Sequence, residues 1–336
     1  MRLLIAALAL MLAACEPAER TTAGTAPPLK TEILDREIAV LEQRAKPAAF
    51  DVGVLNIDGG ETWALHADRS FPMQSVFKAP LGAAVLSEID AGRLSLDEVI
   101  AIPPEDLSPP YSPVAEAWPR RNAYSVRELL VRAVGESDNT AADVLMRRIG
   151  GPGVAQAWLG ENGIHDLRID RYERQLQTEM YGMGSFRPGW RTESAFQQAL
   201  SQVPPARRRA AMDAYLKDPR DTVTVPAALD FLRKLVNGQL LSPQSTALLL
   251  KIMTDGQTGQ ARLKAGLPES ATLAHKIGTG RTDLGVNPAS NDIGVIALKD
   301  GRRYAVAVFL AGSPLPPDQR DAIIADVARA VVKAAG

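Results

Sequence analysis

In the stretch "FPMQSVFKAPLG", Phe71 to Gly82, a serine and a lysine stand three residues apart in an otherwise apolar setting. On a helix, residues at that spacing share a face, so the Ser75 hydroxyl can hydrogen-bond the Lys78 amine. Partial burial disfavours the charged form of a lysine, which would make Lys78 a proton acceptor and Ser75 a nucleophile. Pro80 lacks an N–H and suits the first turn of a helix, putting Ser75 near a helix N-terminus, where the dipole favours a developing anion. Alone the pattern is weak. Ser-x-x-Lys arises by chance roughly once in a few hundred residues of average composition, and a surface serine beside a snorkelling lysine has the same spelling.

Two more segments carry chemistry of the same kind. "GESDNTAADVLMRRIGG" places Ser137, Asp138 and Asn139 ahead of an amphipathic helical pattern, where plain helix capping would also explain them. "AHKIGTGRTD" sets Lys276 and Gly278 on a strand edge before a glycine-rich turn, where the bland alternative is a simple bend.

The elements that must position these residues follow from periodicity. "TEILDREIAVLEQRA" has Ile33, Leu34, Ile38 and Leu41 on one helical face, and "DVGVLNIDGGETWALHADRS" reads as two strands joined at Gly59-Gly60. Near the other end, "DIGVIALKDGRRYAVAVFLAG" repeats the hairpin with Asp300-Gly301 as its turn, and a closing amphipathic helix follows. The middle, from about Ser75 to Met253, is dominated by helical patterns. The chain therefore reads as α+β: an antiparallel sheet assembled from both termini, with a helical domain inserted into it. The expected division is 31–70 and 254–336 for the sheet domain and 71–253 for the helical domain. No internal repeat, P-loop, GxGxxG, GxSxG or HExxH motif is present.

Composition narrows the rest. The 336 residues are 46% hydrophobic and 23% charged, ordinary for a globular protein, and the net charge of -1 gives no bulk attraction to nucleic acid or anionic lipid. Arg2 and the apolar run "LLIAALALMLAAC" match a signal-peptide core, too short for a permanent membrane span. "LAAC" resembles a bacterial lipobox, so residues 1–14 are expected to be a lipoprotein signal and Cys15 the lipidated residue. Cys15 is the only cysteine, which rules out an intrachain disulfide. Glu16 is not the aspartate associated with inner-membrane retention, so an outer-membrane lipoprotein facing the periplasm is expected. Residues 15–30 are polar and proline-containing and read as a flexible tether.

Ser75-x-x-Lys78, Ser137-Asp138-Asn139 and Lys276-Ile277-Gly278, in this order, resemble the motif set of class A serine β-lactamases. Tyr111-Ser112-Pro113-Val114, "DRYERQL" with Glu173 and "DPRDT" with Asp221 extend the resemblance over nearly everything after the tether. "FPMQSVFK", "ESDN" and "AHK" look most like the subgroup associated with extended-spectrum enzymes. The resemblance implies a five-stranded antiparallel sheet plus an all-α domain, the multi-layer fold shared with penicillin-binding transpeptidases. It implies that Ser75 attacks the lactam carbonyl, with Lys78 or a Glu173-held water taking its proton. Backbone N–H groups of Ser75 and Thr279 would form the oxyanion hole. Ser137, supported by Lys276, would protonate the departing nitrogen, Asn139 would hold the substrate's side-chain amide, and Glu173 would activate the deacylating water. Tyr111 would wall the cleft, Gly278 would edge it, and an Arg171–Asp221 ion pair would close the loop carrying Glu173.

Three departures stand out. Ile277 replaces a hydroxyl that would bond the substrate carboxylate, an interaction worth about 1.5–3 kcal/mol; Thr279 and Arg281 are candidates to substitute. Gln177 stands where most relatives carry an asparagine that helps hold the hydrolytic water. The stretch from Glu173 to Asp221 is several times longer than usual. Its insertion, about 180–217, contains two helical patterns, with Pro204-Pro205 suited to begin the second and Arg207-Arg208-Arg209 read as a solvated face. Two roles are open for it: a flap beside the cleft that filters substrates by size, or an outward-packing excursion without catalytic consequence.

The competing functions are a penicillin-binding D-alanyl-D-alanine carboxypeptidase, which Glu173 argues against, and a catalytically silent lipoprotein scaffold. A zinc-dependent lactamase is disfavoured because His66, His165 and His275 are dispersed without ligand spacing, although His275 is expected beside the cleft. The expected partners are a small β-lactam and, through Cys15, a membrane. A monomer is expected, with no cofactor, metal or nucleic acid.

Overall fold

The computed structural model describes residues 27–336. Cys15, the signal segment and most of the tether lie outside them. Helix α1 (Thr31–Ala45) buries the stripe Leu34, Ile38, Leu41 and Ala45. It leads into strands β1 (Ala49–Asn56) and β2 (Thr62–Leu65), joined by a turn in which Gly60 has φ +77° and Asn56 Oδ1 accepts from the Gly59 N–H. The last strands are β3 (Thr272–Thr279), β4 (Asn287–Ala297) and β5 (Arg303–Ser313). They complete one five-stranded sheet in the order β2-β1-β5-β4-β3, antiparallel throughout. Strand β1 pairs with β5 along its whole length, from Ala49 opposite Ala311 to Asn56 opposite Tyr304. The α+β sheet is thus built from both ends of the chain.

Both faces of the sheet are covered. On one, α1 and the C-terminal helix Pro317–Ala335 pack Leu34, Ile38, Ile324 and Val331 over Val306 and Val308. The other face meets the helical part, whose segments around the site are α2 (Lys78–Asp90), α3 (Asn139–Arg148), α4 (Glu173–Glu179), α5 (Glu193–Ser201), α6 (Pro205–Tyr215), α7 (Val225–Val236) and α8 (Pro243–Asp255). Helix α2 is buried continuously from Lys78 to Leu86, as suits a helix apolar on all sides. Helix α7 rests so closely on β1 that a Cβ at Gly53 would lie 2.2 Å from Val225 Cγ1, which explains a glycine in the middle of that strand.

The insertion is folded. Helices α5 and α6 close with α4 around an apolar cluster of their own, including Leu176, Met180, Tyr181, Phe196, Leu200, Met212 and Tyr215. Tyr181 and Phe196 meet edge to face with centroids 6.4 Å apart, a favoured geometry for aromatic quadrupoles. Helix α6 begins at Pro205, as the paired prolines suggested. One expectation is corrected: Arg208 is not part of a solvated face. It is half-buried and pairs with Asp283 at 2.7 Å, because α6 lies against the turn between β3 and β4. Among the described residues, no helix is long and apolar enough to cross a membrane.

Candidate active site

A single-turn helix, Gln74–Phe77, runs directly into α2 and carries Ser75 beside the edge strand β3. The approach is close: a Cβ on Gly278 would fall 2.1 Å from the Met73 carbonyl oxygen. Only a glycine at 278 lets the strand come near enough to the nucleophile's segment. Gln74 itself adopts φ +48°, a left-handed conformation that costs a non-glycine residue about 1–2 kcal/mol. Ser137, at φ +66°, is held the same way. Strained backbone at Gln74, next to Ser75, and at Ser137 itself marks segments whose geometry is imposed by their surroundings.

Lys78 is completely buried, and its ammonium nitrogen is the hub. Nζ donates to Ser75 Oγ at 2.9 Å, to the Ser137 carbonyl at 2.8 Å and to Asn139 Oδ1 at 2.6 Å, and lies 2.9 Å from Glu173 Oε1. A lysine has three N–H donors, and here four acceptors surround it. Of the four, only the Ser75 hydroxyl carries a proton of its own to give to Lys78. That makes the Ser75–Lys78 contact the natural path for a proton leaving the serine. Ser75 Oγ also reaches Glu173 Oε1 at 3.4 Å.

On the opposite side, Lys276 projects from β3 and donates to Ser137 Oγ at 3.0 Å and to the Ile277 carbonyl at 2.9 Å. Burial, reinforced by the nearby positive Lys78, holds the Lys276 ammonium well below the ordinary lysine range. Asp138, buried next to Ser137, accepts from the N–H groups of Val114 and Ala141 and from Ser112 Oγ, so it both caps α3 and ties down the Tyr111 segment. Capping and site assembly are one interaction here.

Glu173 opens α4 and is almost fully buried. Its N–H donates to Asp143 Oδ1 at 2.7 Å, the Arg174 N–H donates to Asp143 Oδ2 at 3.0 Å, and the Ser108 hydroxyl donates to the same oxygen at 2.6 Å. Burial pushes the Asp143 carboxyl up to about 7, opposed by the Ser108 hydrogen bond and assisted by the Glu173 charge. Gln177, one turn along α4, donates its amide to Glu173 Oε2 at 2.8 Å. Behind the loop, Arg171 Nε meets Asp221 Oδ2 at 2.6 Å, with both side chains buried, and Asp221 Oδ1 accepts from the N–H groups of Asp170 and Arg171.

Ser75, Ser137, Asn139 and Gln177 open onto one cleft of about 470 Å³, which Tyr111, Ile277, Thr279 and Arg281 also line, while Lys78, Lys276 and Glu173 lie buried behind its wall. Tyr111 is exposed at its rim. The amide of Asn139 is occupied at both ends, since Nδ2 also donates to the Pro109 carbonyl at 3.0 Å. Arg281 is engaged too: its guanidinium grips Glu193 of the insertion, with Nη1 2.6 Å from Oε1 and Nη2 2.7 Å from Oε2. Thr279 is left as the exposed hydroxyl at that end of the strand. His275 does not join the cleft lining. It lies on the face of β3 opposite Lys276, with Nδ1 2.9 Å from Asp292 Oδ1, because successive strand residues point to opposite faces. Among the described residues, no cluster of His, Cys, Asp and Glu could hold a metal ion.

Four residues of the site escaped the reading of the sequence. Asp143 carried a usable signal, standing one helical turn after Asn139 on the same face of α3. Gln74 is adjacent to Ser75 but has no motif of its own. Phe196, which lines the cleft, and Tyr215, which touches Gln74, come from the insertion and had no local signal.

Residues 33–335 match the family described as "Beta-lactamase enzyme family". Beta-lactamase VEB-1 of Pseudomonas aeruginosa is 34% identical over 287 residues, 85% of this chain and 85% of the relative. Extended-spectrum beta-lactamase PER-1 of the same species is 30% identical over 311 residues, 92% and 87% of the two chains. Among solved structures, the class A β-lactamase of the last common ancestor of Gram-negative bacteria superposes with a TM-score of 0.73 at 36% identity, covering 90% of this chain and 98% of its own.

Proposed function

The chain belongs to the beta-lactamase enzyme family and is a class A β-lactamase, a hydrolase of antibiotic resistance; from that premise we propose that it opens lactams through an acyl-enzyme on Ser75. The observation that carries the proposal is the buried group in which Lys78 contacts Ser75, Ser137, Asn139 and Glu173. Lys78 passes a proton to Glu173 Oε1 and takes the one from Ser75, whose oxygen bonds to the lactam carbonyl carbon. The N–H groups of Ser75 and Thr279 stabilise the oxyanion. Ser137 then protonates the departing ring nitrogen and is reprotonated from the Lys78 side. Lys276 Nζ, 3.0 Å from Ser137 Oγ, steadies that hydroxyl. Glu173 returns its proton to Lys78 and, again a carboxylate held at Oε2 by Gln177, draws the proton from the water that cleaves the ester, while Lys78 supplies the proton to the departing Ser75 oxygen.

Tyr111 and Asn139 line the substrate's side chain. Thr279 takes the carboxylate, with Arg281 committed to Glu193 and Ile277 offering no hydroxyl. The "LAAC" segment supports lipidation at Cys15 and an outer-membrane site facing the periplasm; the tether expected over 15–30 ends short of Leu29, which is buried against the C-terminal helix layer and is followed by a Lys30 N–H that donates to the Ala334 carbonyl.

The test is a chromogenic cephalosporin assay with mass spectrometry of the protein. Wild type should turn over, Ser75→Ala should neither turn over nor gain mass, and Glu173→Ala should acylate and stay acylated. Turnover by Ser75→Ala would sink the serine mechanism, and stable acylation of the wild type would point to a penicillin-binding role.

A further inference from the structure

The insertion touches the general base through a line of polar groups, buried at Gln74 and Tyr215 and half-buried at Gln177 where it meets the cleft. Gln177 Nε2 donates both to Glu173 Oε2 at 2.8 Å and to Gln74 Oε1 at 3.1 Å. Gln74 Nε2 in turn donates to the Tyr215 hydroxyl oxygen at 2.5 Å and reaches Met180 Sδ at 3.4 Å. The direction of the line is fixed at one end: a carboxylate only accepts, so the Gln177 amide must present its nitrogen to Glu173. Gln74 must then present its oxygen to Gln177 and its nitrogen to Tyr215. Gln74 and Tyr215 are buried, and burial pushes the Tyr215 phenol far above its ordinary range, so it stays a neutral hydroxyl. Thioether sulfur is a weak acceptor, leaving the Tyr215 oxygen as the strong partner for the Gln74 amide.

We propose that Tyr215, on the last turn of the inserted helix α6, is a positioning residue for deacylation, acting on Glu173 through Gln74 and Gln177. The inference rests on the reading of Glu173 as the base for the hydrolytic water. With the Tyr215 oxygen in place, both glutamine amides have a single satisfied orientation, and Glu173 Oε2 is pinned while Oε1 faces Lys78. Without it, the Gln74 amide loses its reason to keep that orientation and can turn its nitrogen toward Gln177. The donor that holds Glu173 is then free to swing away. Acylation uses Glu173 only at Oε1, as the acceptor of the Lys78 proton, whereas the line from Tyr215 ends on Oε2, so acylation should hold its rate.

The experiment separates the two half-reactions by single-turnover kinetics on a chromogenic cephalosporin, with acyl-enzyme quantified by intact-protein mass. Tyr215→Phe keeps the ring in its apolar cluster and should slow deacylation about tenfold, the effect of one lost buried hydrogen bond, with acylation unchanged. Gln177→Ala should also slow deacylation, and adding Tyr215→Phe to it should cost little more, since both act on one line. Met212→Ala, in the same apolar cluster, is the packing control and should lower the melting temperature without moving the ratio of the two steps. Normal deacylation in Tyr215→Phe, or a parallel fall in both steps like that of a merely loosened fold, would overturn the proposal. Glu173→Gln tells the two readings apart. If it deacylates normally, the assignment of the base is wrong; if it stalls while Tyr215→Phe does not, only the role of Tyr215 is.

Discussion

Lys78 Nζ lies 2.9 Å from Glu173 Oε1 with both side chains shut off from solvent, so two opposite charges on distant segments are each the other's counterion. Removing one partner from a buried pair strands the other and typically costs about 3–5 kcal/mol. Lys78→Ala should therefore lose stability of that order at pH 7 by urea unfolding, besides losing acylation. The double variant Lys78→Ala, Glu173→Ala should recover a large part of the loss. A double variant no more stable than the single would show that the charges are not coupled.

Asp143 makes stability pH-dependent. Its carboxyl is raised to about 7 in the folded state, against about 3.9 in an unfolded chain. The folded protein thus holds this proton more tightly. Its contribution is fully present below about pH 4 and is lost as pH rises through about 7. Relative to Asp143→Asn, which cannot titrate, the wild type should lose roughly 3 kcal/mol between pH 4 and 7.5. Urea midpoints of both proteins across that range check it, and a difference that stays constant would count against it.

Ile277 lines the cleft where a hydroxyl would serve a carboxylate. Ile277→Thr should lower KM for penicillins by about tenfold, the worth of one charge-assisted hydrogen bond, with kcat little changed. Steady-state kinetics that do not move would mean that Thr279 already saturates the carboxylate.

Phe196 is the insertion's contribution to the cleft wall and at the same time part of its apolar cluster. Phe196→Ala should cost about 3 kcal/mol as a core truncation and shift kcat/KM toward lactams with bulky side chains relative to benzylpenicillin. A calorimetric scan and the two kcat/KM ratios decide it. An unchanged ratio would remove the size-filter role and leave only packing.

The parts legible from the sequence were those whose signal is local. Ser75 and Lys78 face each other because three residues separate them on a helical path, and Asn139 opens α3 beside its own cap, Asp138. The hairpins at both ends were legible as alternation broken by Gly60 and Asp300-Gly301. What stayed hidden joins segments far apart in the chain: Gln74 with Tyr215, Glu193 with Arg281, Arg208 with Asp283. No periodicity encodes such pairs, since each depends on how α5 and α6 settle against β3. His275 was misjudged for the opposite reason. Adjacency to Lys276 suggested the cleft, but strand alternation sends neighbouring side chains to opposite faces.

The pairing of β1 with β5 bears on how the molecule comes into being. The first hairpin cannot bury its inner face, or hydrogen-bond its free edge, until the last strands have been synthesised. Contacts so distant in sequence are slow to form, because the loop entropy of nearly the whole chain is spent before they repay it. The helical middle, rich in near-neighbour contacts, can organise early while the sheet waits. A ribosome-bound or truncated chain ending before Arg303 would therefore hold β1 and β4 as unpaired, apolar edges. The active site, whose Lys276 rides on the sheet and whose Ser75 rides on the helices, would be assembled only in the final act of folding.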